Sequence, residues 1–267
     1  MPQVPHLSIA IMAFNILLSA GLPAALAIIL CRKFKLGPKP FFTGCAVWIV
    51  FVMVLEKLLH HFVFQSPAGP IIQSEVWRYA LYGGLAAGLF EESGRFIAMK
   101  TVLRKEHGDD RNSILYGAGH GGIEAFVILG VGMVNNLIYS ILYNTGNIGL
   151  VTAPLNEEQK AAFQGVIDQL TSSSPAIFLL SPAERITAII LHIALSVIVW
   201  MGVTKKRPLL FPLAILLHAA VDAASVVLSR QGFSMALTEL FILIMSLAVA
   251  CLAFIIYRKH TTKTIYA

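Results

Sequence analysis

The sequence has 267 residues, of which 57% are hydrophobic and only 13% are charged. Ordinary soluble domains carry about 25% charged residues, and disordered chains combine low hydrophobicity with high charge, so both classes are excluded. The mean hydropathy of +0.76 predicts that a bilayer is the solvent. The net charge of +6 then reflects Lys and Arg in cytoplasmic loops, and we expect no nucleic-acid partner.

Seven apolar segments follow one another along the chain, and each is long enough to span about 30 Å of hydrocarbon as a helix. They cover residues 7–31, 41–63, 77–103, 112–142, 182–203, 208–229 and 234–257. The sequence thus predicts an all-α polytopic membrane helix bundle with about seven transmembrane helices. We expect a single integral membrane domain over residues 1–267, with no separate soluble domain.

The distribution of basic residues predicts the orientation of these segments. Fourteen of the 20 Lys and Arg residues fall in alternate connections and the C-terminal tail, within 32–40, 100–111, 205–207 and 258–263. Four lie on the opposite side, at positions 78, 160, 185 and 230. Because cytoplasmic loops are enriched in Lys and Arg, we expect the N-terminus outside and the C-terminus in the cytoplasm, in a bacterial-type plasma membrane.

The longest connection, residues 143–181, is placed on the outer side by this orientation. Asn156 precedes Glu157, Glu158 and Gln159, and apolar residues follow at helical spacing. An asparagine cap and acidic residues in the first turn both stabilise the start of a helix. The pattern predicts a short amphipathic helix on the outer surface, and we favour a packed connector over a lid.

A few ionisable residues lie inside the apolar segments, where a charge costs a few kcal/mol and therefore faces a cavity or a partner. A rise of about 1.5 Å per residue places those of four segments at one level near the bilayer centre. Scattered structural residues would not converge in this way, so we interpret the group as a functional site. Its members are Glu91, Glu92, Arg95, His120, Glu124, His192, His218 and Asp222.

The spacing within each segment supports this interpretation. Residues four apart share one face of a helix, which pairs Glu91 with Arg95, and an arginine holds a neighbouring carboxylate ionised. Adjacent residues point about 100° apart, so one of Glu91 and Glu92 can aim at the centre while the other braces it. Glu124 or Asp222 can orient a histidine ring and fix its tautomer.

The second segment carries four further polar residues, Glu56, Lys57, His60 and His61. The two histidines lie near the outer interface, where polar and aromatic side chains are common. Glu56 and Lys57 lie deeper and can neutralise each other or another charge. We interpret these residues as structural.

The order of motifs over residues 88–224 resembles that of the YhfC family of membrane peptidases, and it is similar to the PrsW proteases and the wider CPBP group (CAAX protease and bacteriocin-processing). The motifs are Glu-Glu-x-x-Arg, Tyr-Gly-x-x-x-Gly-x-x-Glu, a mid-segment His and a final His-x-x-x-Asp. Only Ser93 and Gly94 separate Glu92 from Arg95, which departs from the CPBP spacing. The resemblance is therefore closer to the YhfC and PrsW branches, and it does not imply CAAX processing.

This resemblance implies an intramembrane endopeptidase that hydrolyses a peptide bond of a membrane-associated protein or peptide. Either Glu91 or Glu92 would activate the attacking water, and Arg95 would steady the acidic pair. The lipid bilayer and the membrane substrate are the partners that such an activity implies.

The histidines complete the implied site. His192 and His218 would bind the water or the oxyanion, with Asp222 supporting His218, while His120 and Glu124 match the second motif. A zinc-assisted version is open, because His120, Glu124, His192 and His218 could converge on one divalent metal with an open water position. Since no His-Glu-x-x-His helix is present, we favour a glutamate–histidine site without obligatory metal.

Two other classes of function use the same residues. A proton- or cation-coupled transporter could employ the acids and histidines as a relay, although the sequence lacks the internal repeat that many transporters show. A non-catalytic membrane protein of the bacteriocin-immunity type could retain a protease-like core. Motifs on all four segments favour the protease.

Overall fold

The computed structural model describes residues 3–261, and all regular elements in this range are helical. In chain order they are α1 (His6–Phe34), α2 (Lys39–Gln65), α3 (Ala68–Gln73), α4 (Val76–Lys100), α5 (Asn112–Asn144), α6 (Gly149–Thr152), α7 (Glu157–Ser172), α8 (Ile177–Thr204), α9 (Leu210–Arg230) and α10 (Met235–Thr261), with a 3₁₀ turn at Arg104–Glu106. The predicted all-α fold is confirmed, and each of the seven apolar segments coincides with a long helix. Lys263, counted in the C-terminal basic cluster, lies outside the described residues.

The long helices identify an integral membrane protein. Six of those in the described range, α1, α2, α5, α8, α9 and α10, are long and apolar enough to cross a membrane. Helix α4 has 25 residues and is less apolar because it carries Glu91, Glu92 and Arg95. Helix α4 is therefore the predicted seventh span that bears the acidic pair, and both its crossing of the membrane and the orientation of the bundle stay predictions.

Helix α8 is the most enclosed of the six apolar spans. In its most apolar stretch 72% of the residues are buried, against 17–28% in the other five. Leu195, Ile198 and Trp200 on α8 are fully buried and belong to one core cluster with Met99 and Val249. Close packing of this kind, in place of a hydrophobic driving force, holds helices together in lipid.

The described chain forms two compact units. One comprises the chain up to Leu22 together with Ala125–Arg185, and the other comprises Pro23–Glu124 together with the chain from Ile186 onward. Within the first unit, the Asn15 side chain donates a hydrogen bond of 2.7 Å to the backbone oxygen of Phe178. All eight residues of the predicted site belong to the second unit.

Helix α7 in the first unit begins at the asparagine that the sequence indicates. The Asn156 side chain accepts from the Gln159 backbone N–H at 2.9 Å, and the Gln159 side chain accepts from the Asn156 N–H at 3.0 Å. This reciprocal pair satisfies two backbone donors that would otherwise be free at the helix start. Ile167 and Leu170 are buried in the core cluster of this unit, so one face of α7 is packed.

Two of the spanning helices contain a π-helical segment, over Ile49–Glu56 in α2 and Phe126–Val131 in α5. A π-helical turn takes up more residues than an α-helical turn, so it changes which side chains share a face of the helix. Such segments are rare and are frequent at functional sites. In α2 the segment ends at Glu56, whose side chain is buried.

Two glycines allow helices of the second unit to meet backbone to backbone. A Cβ at Gly88 of α4 would lie 2.7 Å from the Ile215 carbonyl oxygen of α9, and one at Gly117 of α5 would lie 2.5 Å from the Ile193 Cα of α8. Real Cβ atoms do not come so close to backbone, so only glycine fits at these positions. Small residues at helix interfaces allow such close approach in membranes.

We expect Gly88→Ala to destabilise the protein, because the new methyl group forces α4 and α9 apart. Overpacking of this kind costs about 1–3 kcal/mol, so thermal unfolding in detergent should begin at a lower temperature than in the wild type. Gly83→Ala on the same helix is the matched control, since its Cβ meets nothing within 4 Å. That substitution should be neutral or stabilising, because alanine favours a helix by up to about 1 kcal/mol over glycine. Equal melting of both variants would contradict the close approach.

Candidate functional site

The structure brings all eight predicted residues together in one cluster of the second unit. They come from four helices, with Glu91, Glu92 and Arg95 on α4, His120 and Glu124 on α5, His192 on α8, and His218 and Asp222 on α9. Each residue contacts at least one other member of the set. The side chains that the helical rise predicts to converge thus lie in contact, and their depth in the bilayer stays a prediction.

Glu91 lies at the centre of the three histidines. Its Oε2 is 2.7 Å from His120 Nε2 and 3.7 Å from His192 Nδ1, and its Oε1 is 3.9 Å from His218 Nε2. The side chain is 7% exposed. Glu91 is therefore the acid that aims at the centre, a choice that the sequence leaves open.

Glu92 braces two neighbours from a fully buried position. Its Oε1 accepts from the Arg95 guanidinium three residues later, and it lies 2.8 Å from His218 Nδ1. Because a carboxylate only accepts, His218 presents Nδ1–H to Glu92 and leaves Nε2 toward the rest of the site. Glu92 thus fixes the ring of His218, and Arg95 neutralises its charge.

Asp222 takes the other nitrogen of His218. Its Oδ2 is 3.5 Å from Nε2, and its side chain is 37% exposed, whereas those of Glu91 and Glu92 are almost or fully buried. Asp222 therefore supports His218 from the open side of the cluster.

His192 is held at both nitrogens. Nε2 contacts the Glu124 carboxylate, and Nδ1 lies 2.6 Å from Nη2 of Arg95. The shared face of α5 would allow Glu124 to pair with His120, but the structure pairs His120 with Glu91 and places Glu124 against the histidine of α8. His120 and Glu124 of α5 therefore both find their partners on other helices and not in each other.

Glu56 is a further acid of this region, which the sequence interpretation treats as structural. It is 7% exposed and interacts electrostatically with His218, Asp222 and Glu124. Its Oε1 accepts from His60 at 3.2 Å. The neighbouring Lys57 is exposed, so Glu56 and Lys57 do not form the ion pair that their adjacency in the sequence suggests. Glu56 is recognised as part of this region from the structure, where it is buried at the end of the π-helical segment.

The central residues fit a divalent metal ion. Glu91, His120 and His192 each offer one donor atom, and the three atoms lie within 4.8 Å of one another. Carboxylate oxygen and imidazole nitrogen are common ligands of zinc and related metals. Further acids lie around the donor set, since Glu124 and Asp222 interact electrostatically with both Glu91 and Glu56. A metal ion would replace the proton that otherwise bridges Glu91 and His120.

A comparison with protein families identifies the chain's relatives. The model of the YhfC family, described as intramembrane metalloproteases, matches residues 16–242, which include all eight site residues. The chain belongs to the YhfC family. It is also 33% identical over 211 residues to a protein of Bacillus subtilis (strain 168) named "Uncharacterized membrane protein YhfC", covering 78% of this chain and 80% of the relative. No solved structure matches.

The comparisons confirm the resemblance to YhfC peptidases and bear on two other expectations. The YhfC family is described as metalloproteases, which favours the metal-assisted alternative over the preferred site without obligatory metal. The identity of the metal stays open between zinc and other divalent ions. The relation to PrsW and CPBP peptidases stays a prediction.

Proposed function

We propose that this YhfC family member is an intramembrane endopeptidase that hydrolyses a peptide bond of a membrane protein or peptide. The observation that carries the proposal is the position of Glu91, whose two oxygens lie within 4 Å of a nitrogen of each of three histidines. A carboxylate and an imidazole at one reacting centre can act as general base and general acid, as hydrolysis of a peptide bond requires. The family description of metalloproteases supports the same class.

Glu91 and His218 carry the proton transfers in this proposal. Glu91 accepts a proton from water, whose oxygen bonds to the scissile carbonyl carbon. His218 donates a proton from Nε2 to the peptide nitrogen as the C–N bond breaks, and the proton on Glu91 restores the imidazolium. Glu92, 2.8 Å from Nδ1, holds the ring in the required orientation.

The remaining residues hold the cation and position the acids. Glu91 Oε2, His120 and His192 would bind one divalent metal, which when bound polarises the scissile carbonyl as a Lewis acid. Glu91 Oε1, which faces His218, is the oxygen that accepts the proton. Glu124 orients His192 through Nε2, a contact of the kind that fixes the tautomer of a metal-binding histidine. Arg95 neutralises Glu92, and Asp222 supports His218 at the open side.

The test is cleavage of a library of membrane-spanning peptides by the purified protein in detergent, read out by mass spectrometry. We expect defined products that carry one new amino terminus and one new carboxyl terminus. If the wild-type protein cuts no peptide, the protease proposal fails. Proton flux into liposomes that contain the protein would then support the transporter, and an absence of both activities would support the non-catalytic alternative.

A further inference from the structure

The protonation pattern of His192 follows from its two neighbours. The carboxylate of Glu124 at Nε2 can only accept a hydrogen bond, and the guanidinium of Arg95 at Nδ1 can only donate one. Nε2 therefore carries the hydrogen, and Nδ1 presents its lone pair to Arg95. The imidazole has no other lone pair in the plane of the ring.

The same lone pair is the one that a metal ion requires. Of the two nitrogens of His192, Nδ1 lies 3.7 Å from Glu91 Oε2, whereas Nε2 is taken by Glu124. Nη2 of Arg95 is also 3.6 Å from Glu91 Oε2, so the guanidinium lies against two of the three proposed metal ligands. One lone pair cannot accept from Arg95 and bind a metal at the same time.

We propose that Arg95 is a resident cation that competes with the metal ion for Glu91 and His192. Metal binding then requires Nη2 to leave His192, while Nη1 stays on Glu92, which lies on the same helix and also accepts from Arg95. The exchange forms and breaks only hydrogen bonds and coordinate bonds. The inference rests on the proposed metal centre of the protease.

This competition has two consequences. The metal-free protein stays folded, because Arg95 supplies positive charge to acids that would otherwise be buried without a partner, which is costly. The affinity for metal is also lower than the three ligands alone would give, since binding must displace a charge-assisted hydrogen bond. Arg95 therefore sets the metal affinity as well as positioning the acids.

The experiment compares zinc binding to the metal-free wild-type protein and to Arg95→Gln, measured in detergent by competition with a chromogenic chelator. We expect one zinc per chain in both proteins and about tenfold tighter binding in the variant, the size expected for the loss of one charge-assisted hydrogen bond. The metal-free variant should melt at a lower temperature than the wild type, and zinc should raise its melting temperature by more. Arg78→Gln, which removes an exposed arginine from the same helix, is the control and should bind like the wild type.

The outcomes separate this inference from the proposed function. If the wild type binds no zinc, or if His120→Ala binds zinc as tightly as the wild type, the metal centre itself is wrong. If the wild type binds one zinc through His120 but Arg95→Gln binds it equally or more weakly, only the competition is wrong. Should Arg95→Gln fail to fold, ¹⁵N NMR of histidine-labelled wild-type protein shows whether zinc displaces Arg95 from His192. Zinc must shift the His192 Nδ1 signal, because that nitrogen exchanges its hydrogen bond from Arg95 for the metal. An unshifted signal overturns the inference.

Discussion

Glu91→Gln is expected to abolish peptide cleavage while the protein remains folded. A glutamine cannot take a proton from water, and loss of a positioned proton acceptor lowers the rate by about 10²- to 10⁴-fold. The melting temperature should stay at or above the wild-type value, because Glu91 is buried near the acids Glu124 and Asp222 and removal of its charge relieves their repulsion. The measurements are initial rates on the best library peptide and thermal unfolding in detergent.

Glu92→Gln provides the contrast, since Glu92 braces Arg95 and His218 from a fully buried position. Removing one partner of a buried ion pair costs about 3–5 kcal/mol, so this variant should lose both activity and stability. Glu75→Gln, at an exposed acid just before α4, is the matched control and should change neither. Activity above a tenth of wild type in Glu91→Gln would refute the role of Glu91 as the proton acceptor.

Removal of the metal is expected to stop cleavage reversibly. Protein that is treated with a chelator and then dialysed should lose more than about 99% of its activity, because the Lewis acid contributes several kcal/mol to the reaction. Addition of one equivalent of zinc should restore the rate, and metal analysis should find one ion per active chain. Chelator that is saturated with zinc beforehand is the control and should not inhibit.

A different result would also be informative. Full activity in protein shown by analysis to be free of metal would rule out the metal-assisted version, and the site of Glu91 and three histidines would then work without it. His120→Ala distinguishes these cases. It should abolish both zinc binding and cleavage if His120 is a ligand.

Much of the architecture is predictable from the sequence because the bilayer imposes it. Backbone in lipid must satisfy its own hydrogen bonds, which a single long apolar stretch does as a helix, and a constant rise per residue predicts that the polar residues lie at one depth. These two rules suffice to collect all eight site residues. Family motifs then indicate the class of chemistry before any contact is known.

The pairing of the site residues is not predictable in this way, because it depends on how the helices rotate against one another. Spacing along α5 suggests that His120 and Glu124 form a pair, yet His120 contacts Glu91 and Glu124 contacts His192. The position of the Glu56 side chain near the site is not predictable for a related reason. The π-helical segment Ile49–Glu56 changes which side chains of α2 share a face, so α-helical spacing does not indicate where Glu56 points.

The backbone contacts at Gly88 and Gly117 bear on how the protein responds to bilayers of different thickness. Transmembrane helices meet a change in thickness by tilting or by deforming the surrounding lipid. At these two positions the main chains of neighbouring helices are already in contact, so the helices cannot move closer or rotate past each other there. The distances between the glutamates and histidines should therefore be the same in thin and thick membranes, and lipid composition should act on the delivery of the substrate instead.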